Sequence, residues 1–270
     1  MFPSLTFGQA LLLALYYLSL SLLACFGLHR AWLIAEARRL PRRPPAPEPE
    51  EWPAVLVQLP LFNEPQVAGR LVRMCAELDY PRGRLFLQVL DDSTDNTPQV
   101  LQQTLEELRS EQPALQIDYC HRANRPGSKA GALAEGLEQN SAPLVAMFDA
   151  DFLPPADFLK RAVPELLAGE KLGFVQAGWD HLNREPGLLE GAQAALLDGH
   201  FRREHRVRSA RGLIFNFTGT AGIWRRAAIE EAGGWEGDTL TEDFDLSYRM
   251  HLAGWRARCL PELAVPSELP

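Results

Sequence analysis

From residue 54 onward, short apolar runs alternate with longer segments whose apolar residues recur every three or four positions. The short runs are AVLVQLP, RLFLQVL, LQIDYC, PLVAMFD and LGFVQAG. Runs of this length bounded by turn residues predict strands, and the spacing between them predicts helices near residues 66–78, 98–109, 129–140 and 155–168. Strands and helices in strict alternation imply an α/β fold with a mostly parallel central sheet and helices on both faces. Ligands of such sheets bind at the carboxyl ends of the strands. The polar clusters fall at those ends: FNEP after the first strand, DDSTDNT after the second, HRANRPGSK after the third and DADF closing the fourth.

The pattern before residue 54 is different. Residues 5–28 carry no charge, and a helix rising about 1.5 Å per residue over that stretch would cross a hydrocarbon core of about 30 Å. A secretory signal would have a cationic start and an apolar core of about 7–15 residues, which this segment does not. Arg30, Arg38, Arg39, Arg42 and Arg43 follow the helix and no charged side chain precedes it. The positive-inside rule then places the bulk of the chain on the cytoplasmic side of a membrane. LPRRPPAPEPEEWP reads as an extended proline-rich spacer. The expected organisation is an anchor with a basic flank at 1–40, a linker at 41–53 and an α/β domain at 54–270. No repeat at a fixed period is visible, which excludes a solenoid.

Composition narrows the function classes. The 270 residues are 46 % hydrophobic and 23 % charged, enough for a sizeable core. A net charge of -8 and the lack of a basic stripe argue against nucleic acid as a partner. Cys25, Cys75, Cys120 and Cys259 lie far apart, so they signal neither a zinc site nor a disulfide framework.

The strand VAMFDADF ends in Asp149 and Asp151. Burying unpaired carboxylates costs several kcal/mol, so a cation is expected there, and alternate carboxylates on a strand suit Mg²⁺ or Mn²⁺ with room for phosphate oxygens. In DDSTDNT, a helix cap accounts for Asp95 or Asn96 ahead of a helix near Pro98. That reading leaves Asp91 and Asp92 without partners, so a functional role stands beside the capping one. Lys129 in RPGSKAGAL opens a helix and suits an anionic ligand, although a solvated helix start is an alternative and the order of a P-loop is missing. In DTLTEDFDLSYRM, Thr241 is a plausible cap, with Glu242 and Asp243 at the positive end of the helix. HFRREH would set its two imidazoles about 140° apart on an α-helix, too far for a metal pair. NFT at 216–218 matches a glycosylation acceptor on the expected cytoplasmic side and is read as chance.

As an ordered set, QLPLFNE, QVLDDSTDNT, KAGAL, FDADF, GTAGIWRR and TLTEDFDLSYRMHLAGW resemble the membrane-bound family 2 glycosyltransferases. The resemblance is greatest to the cellulose synthase-like enzymes, which include β-mannan and glucomannan synthases, and to their bacterial relatives. It implies a GT-A fold that transfers a hexose with inversion from a UDP- or GDP-sugar to a growing β-linked glucan or mannan at the cytoplasmic membrane face. Transfer to a lipid, as in ceramide glucosyltransferases, and a membrane-anchored nucleotide-sugar sensor without catalysis are the alternatives. By this resemblance Pro60, Asn63, Glu64, Asp91, Asp92, Lys129 and Asp149 form the nucleotide-sugar pocket. Asp149 and Asp151 hold Mn²⁺ or Mg²⁺, Asp243 is the general base with Asp91 as a second catalytic carboxylate, and Thr218, Gly219, Thr220 and Glu242 lie on the acceptor side. Two departures stand out. Asn-Gly-Thr is common where this chain has Thr218-Gly219-Thr220, and the Gln-x-x-Arg-Trp motif is absent, so the chain is expected to stop short of that motif and of further membrane helices.

Overall fold

The computed structural model describes residues 6–41, 43–182, 187, 191, 195–197 and 199–267. The chain divides into two compact units, Met1–Arg42 and Arg43–Pro270. The first is built on helix α1 (Phe7–Arg39), whose entry is fixed by a capping box in which Gln9 N–H donates to the Thr6 hydroxyl and the Gln9 side chain accepts from Thr6 N–H. An 18-residue window of α1 reaches a mean hydropathy of 2.1, so by length and composition the helix could cross a membrane. It runs on past the uncharged stretch, and Arg38 and Arg39 close it at the end where the helix dipole favours cations.

The second unit is a seven-stranded sheet in the order β3-β2-β1-β4-β6-β5-β7. Its strands are β1 (Val55–Leu61), β2 (Leu85–Asp91), β3 (Gln116–His121), β4 (Leu144–Met147), β5 (Leu172–His181), β6 (Gly222–Arg225) and β7 (Arg256–Ser267). Pairs β1/β2, β1/β4, β2/β3 and β5/β7 are parallel, whereas β6 runs antiparallel to both β4 and β5. The helices are α2 (Ala68–Ala76), α3 (Thr97–Glu111), α4 (Ser128–Glu138), α5 (Phe158–Leu167), α6 (Arg206–Ala210), α7 (Arg226–Glu231) and α8 (Glu242–Leu252). The five expected strands and four expected helices are present within a few residues of their predicted bounds.

Alternation along the strands divides the core in two. Val55, Val57, Leu59 and Leu61 of β1 pack with Leu71 of α2, Leu101 of α3 and Phe158 of α5. On the opposite face Leu56, Val145, Phe174 and Trp224 pack with Leu133 of α4, Ile229 of α7 and Met250 of α8. Each of these side chains contributes about 1.5–3 kcal/mol of burial, which is why a one-residue register slip is not tolerated. The proline-rich segment after residue 42 is packed into the second unit. Ala46 N–H donates to Glu165 Oε1 (2.8 Å), the Tyr80 hydroxyl donates to the Pro53 carbonyl (2.6 Å), and Trp52 meets Tyr80 edge-on.

Strands β6 and β7 have no counterpart in the sequence-based reading. GIWR is too short to show alternation. Strand β7 contains Pro261 and Pro266, which argue against a central strand and are admitted because β7 is the sheet edge. HFRREH also differs from expectation. Residues His200–His205 form a π-helical turn, and their rings stand with centroids 4.0 Å apart instead of on different faces. The wider winding of a π-helix returns residues five apart to one face.

Candidate active site

The carboxyl ends of β1 and β2 are tied together before any ligand is considered. Asp92 N–H donates to the Leu61 carbonyl (3.0 Å). Asn63 adopts a left-handed backbone (φ 56°), which Asn tolerates better than most residues. Its N–H donates to Ser93 Oγ (2.9 Å) and its side-chain oxygen accepts from Thr94 N–H (2.8 Å). Asn63 therefore fixes one loop to the next.

Asp91 and Asp92 do not lack partners, contrary to the expectation from sequence. Asp91 is fully buried and accepts from Ser93 N–H (2.9 Å) and the Tyr119 hydroxyl (2.7 Å), with His121 Nδ1 at 3.3 Å. Both its oxygens are engaged, and it supports the cleft from behind instead of lining it. Burial, then the bond to Asp91, raise the Tyr119 pKa, so the phenol stays a donor. Asp92 takes a two-pronged contact from Arg122, Nε at 2.7 Å and Nη2 at 2.6 Å, and a further bond from Arg125 Nε at 3.3 Å. These partners come from the loop after β3, about thirty residues away in sequence. Downstream, Asp95 accepts from Thr97 N–H (2.8 Å), whereas Asn96 occupies the N-cap of α3 without a side-chain bond.

A cleft of about 270 Å³ opens above these strand ends, and six of the expected residues line it: Pro60, Glu64, Asp92, Lys129, Asp149 and Asp151. The turn leading into α4 is unusually tight, because a Cβ at Gly131 would lie 1.9 Å from the Pro126 carbonyl. That turn, with Gly127 at φ 69° as the N-cap, delivers Lys129 at the helix start. Lys129 Nζ donates to Asp149 Oδ1 and to the Gly219 carbonyl (3.0 Å). Burial works to lower the Lys129 pKa, but Asp149, Glu242 and Asp243 outweigh it and hold the ammonium charged. Glu64 is raised by burial first and then by Asp149 and Asp151, which places three carboxylates in one field.

Residues 218–221 form a second wall beside Lys129 and Asp149, next to the lining of that cleft and not part of it. Buried Gln176 of β5 organises them: its side-chain oxygen accepts from Thr218 N–H (3.0 Å), and its amide donates to the carbonyls of Thr220 (3.0 Å) and Ala221 (3.2 Å). The Thr220 hydroxyl accepts from Asp149 N–H (2.8 Å), joining this wall to the DAD strand end, while the Thr218 hydroxyl is buried without a partner. Gly219 stands at φ 79°, and a Cβ there would lie 3.5 Å from Asp243 Oδ2 and 3.7 Å from Lys129 Nζ. Asp243 and Lys129 therefore face the same small space. Asp243 is raised by burial above the usual carboxylate range, with Glu242 adding to the rise and the Phe244 N–H and Lys129 opposing it. Thr241 occupies the N-cap position of α8, but its hydroxyl makes no capping bond, contrary to expectation. Ser247 instead anchors that helix, donating to the Asp243 carbonyl and accepting from Phe217 N–H (2.8 Å).

Among the described residues no group of three or more His, Cys, Asp or Glu is arranged as a metal cage. Asp149 and Asp151 suit a hard cation that takes only one or two carboxylates and completes its shell with phosphate oxygens and water. Arg122, Arg125, Phe62, Tyr119, Gln176 and Ser247 were not singled out from sequence. The two arginines were in view within HRANRPGSK, but only the fold shows that they meet Asp92.

Residues 53–270 match the family described as "Glycosyltransferase like family 2". The chain belongs to that family. It is 46 % identical over 222 residues to glucomannan 4-beta-mannosyltransferase 9 of Arabidopsis thaliana, covering 81 % of this chain and 42 % of the relative. Glucomannan 4-beta-mannosyltransferase 1 of Cyamopsis tetragonoloba is 42 % identical over 224 residues, covering 82 % of this chain and 42 % of the relative. The chain thus spans about two fifths of the length of these curated relatives. A solved mannosyltransferase, PcManGT from Pyrobaculum calidifontis in complex with GDP-Man and Mn²⁺, superposes with a TM-score of 0.75 at 25 % identity, covering 93 % of this chain and 68 % of that one. The S. aureus TarS 1–349 complex with UDP-GlcNAc shares the fold at a TM-score of 0.60 and 17 % identity, covering 80 % of this chain and 59 % of that one. The family 2 chain accordingly has the GT-A type α/β architecture that its strand order displays.

Proposed function

We propose that this chain carries the donor-binding and catalytic centre of an inverting hexosyltransferase that extends a β-linked mannan or glucomannan at the cytoplasmic face of a membrane. The donor would be a nucleoside diphosphate sugar, held with Mn²⁺ or Mg²⁺. Kinship with glucomannan 4-beta-mannosyltransferases and with a mannosyltransferase that binds GDP-Man and Mn²⁺ supports the mannan reading over the glucan one. The observation that carries the proposal is the meeting of Lys129, Asp149, the Gly219 carbonyl and Asp243 around one small space.

In this reading Asp149 and Asp151 would hold the divalent cation, which when bound neutralises diphosphate charge. Lys129, charged and preplaced at the amino end of α4, adds a second positive charge where the leaving diphosphate becomes more negative. Asp243 accepts the proton of the acceptor hydroxyl as its oxygen bonds to the anomeric carbon. The bond from that carbon to the diphosphate oxygen breaks on the opposite side, which inverts the configuration. A buried carboxylate with a raised pKa is a stronger base than an exposed one. A sensor that only bound nucleotide sugar would have no use for such a base beside the acceptor wall.

Asp243→Asn tests the assignment. Donor affinity measured with Mn²⁺ should stay within about tenfold, because the contacts at Lys129 and Asp149 remain. Incorporation of labelled mannose into polymer should fall by about 10²–10⁴, the usual contribution of general-base catalysis. Transfer at close to the parent rate would remove Asp243 from the chemistry.

A further inference from the structure

Arg125 is not used by the transfer described above. Its guanidinium carbon stands over Phe62, 3.4 Å from the ring centroid, close enough that the group must face the ring, and both residues line the cleft. Phe62 is 38 % exposed, so the stack sits at the cleft surface and not in the core. Arg125 spends one donor, Nε, on Asp92. Asp92 already has a two-pronged partner in Arg122, so neutralising that carboxylate does not require Arg125. Among the described residues neither Nη nitrogen of Arg125 donates a hydrogen bond. The face of the guanidinium is therefore fixed by Phe62 and its far edge is left to a ligand.

A fixed guanidinium edge offers two parallel N–H donors in one plane, which match a planar group with two adjacent acceptors. Among the bases, guanine presents O6 and N7 in that arrangement, whereas adenine sets a donor beside its N7 and uracil offers the single acceptor O4 on that edge. Phosphate is the other group an arginine fork suits. The groups fitted to a diphosphate, Lys129 with Asp149 and Asp151, are held with the Gly219 wall, whereas Arg125 is held by Asp92 and Phe62 beyond the ends of β2 and β1. We propose that Arg125, carried on Phe62, reads the O6/N7 edge of guanine and makes this site select guanosine diphosphate sugars over uridine ones. The inference rests on the donor-site reading given under Proposed function.

The test is calorimetric titration of the intact chain with GDP, UDP and 7-deaza-GDP in the presence of Mn²⁺. GDP should bind about 5–150-fold more tightly than UDP, the range a two-pronged base contact supplies. 7-Deaza-GDP, which has a C–H in place of N7, should bind at least about fivefold more weakly than GDP, a comparison that needs no variant. Arg125→Lys should weaken GDP by about tenfold or more and leave UDP within about twofold, and Phe62→Leu should act in the same direction. Equal affinity for GDP and 7-deaza-GDP would overturn the proposal. So would an equal loss of GDP and UDP in Arg125→Lys, which would assign Arg125 to ribose or phosphate. If the parent chain bound neither GDP nor UDP, the donor-site reading itself would fall.

Discussion

Asp243 sits under opposing influences, and their balance has consequences for pH. Burial raises its pKa above the ordinary 3.8, and the Phe244 N–H and Lys129 only partly offset this. In its proposed role as base it must be ionised, so activity should be present above the raised pKa and lost as pH falls through it. The acid limb of kcat/KM should lie above the ordinary carboxylate value, and a limb at or below 3.8 would argue against Asp243 as the titrating base. The same balance bears on the Asp243→Asn control. A fold that raises a carboxylate pKa favours the protonated form, so a neutral Asn should leave the melting temperature unchanged or higher. Lys129 shows the opposite outcome of burial, because three nearby carboxylates keep it charged.

At the scale of elements, the candidate site depends on a helix that the sequence announces and a loop that it does not. Helix α8 brings Asp243 into place, and buried Ser247, one turn on, accepts the Phe217 N–H that begins the 217–221 segment. Ser247→Ala would leave that buried N–H without a partner, at a cost of about 1–3 kcal/mol. Urea denaturation should show this loss, and polymer synthesis should fall further than GDP affinity, because Asp243 loses the anchor of its helix turn while the Lys129–Asp149 bond remains. Unchanged stability would mean that water or another acceptor replaces the serine. The π-helical turn at His200–His205 is a second case in which local winding decides a contact. Burial there pushes His205 down to about 3, so its imidazole is neutral.

At the scale of the whole molecule, an apolar helix with arginines only on its carboxyl side precedes a unit that holds the candidate chemistry. Under the positive-inside rule, a phosphatase or fluorescent reporter fused after residue 270 should report the cytoplasmic side of the membrane. Activity on the opposite side would overturn the proposed location, because nucleotide sugars are made mainly in the cytosol. This chain spans about two fifths of the length of its curated relatives, and polymer extension is a proposal that rests on that kinship together with the site.

The strands β1 to β5, the helices between them and the acidic motifs at their ends were legible because a period of two or of three to four is written locally in the residues. Asp149, Lys129 and Asp243 could be named from sequence for the same reason, each standing at a recognisable element boundary. The partners of those residues could not. Asp92 finds Arg122, Asp149 finds Thr220 and Lys129 finds the Gly219 carbonyl across 30, 71 and 90 residues of sequence, distances over which no local pattern carries information. Strand β6 was hidden by its four-residue length and β7 by two prolines that only an edge position excuses. Sequence determined which residues stand at the strand ends, because side-chain periodicity is a property of neighbours. Only the tertiary structure decided which of those residues share charge and hydrogen bonds, because the order of strands in the sheet sets that.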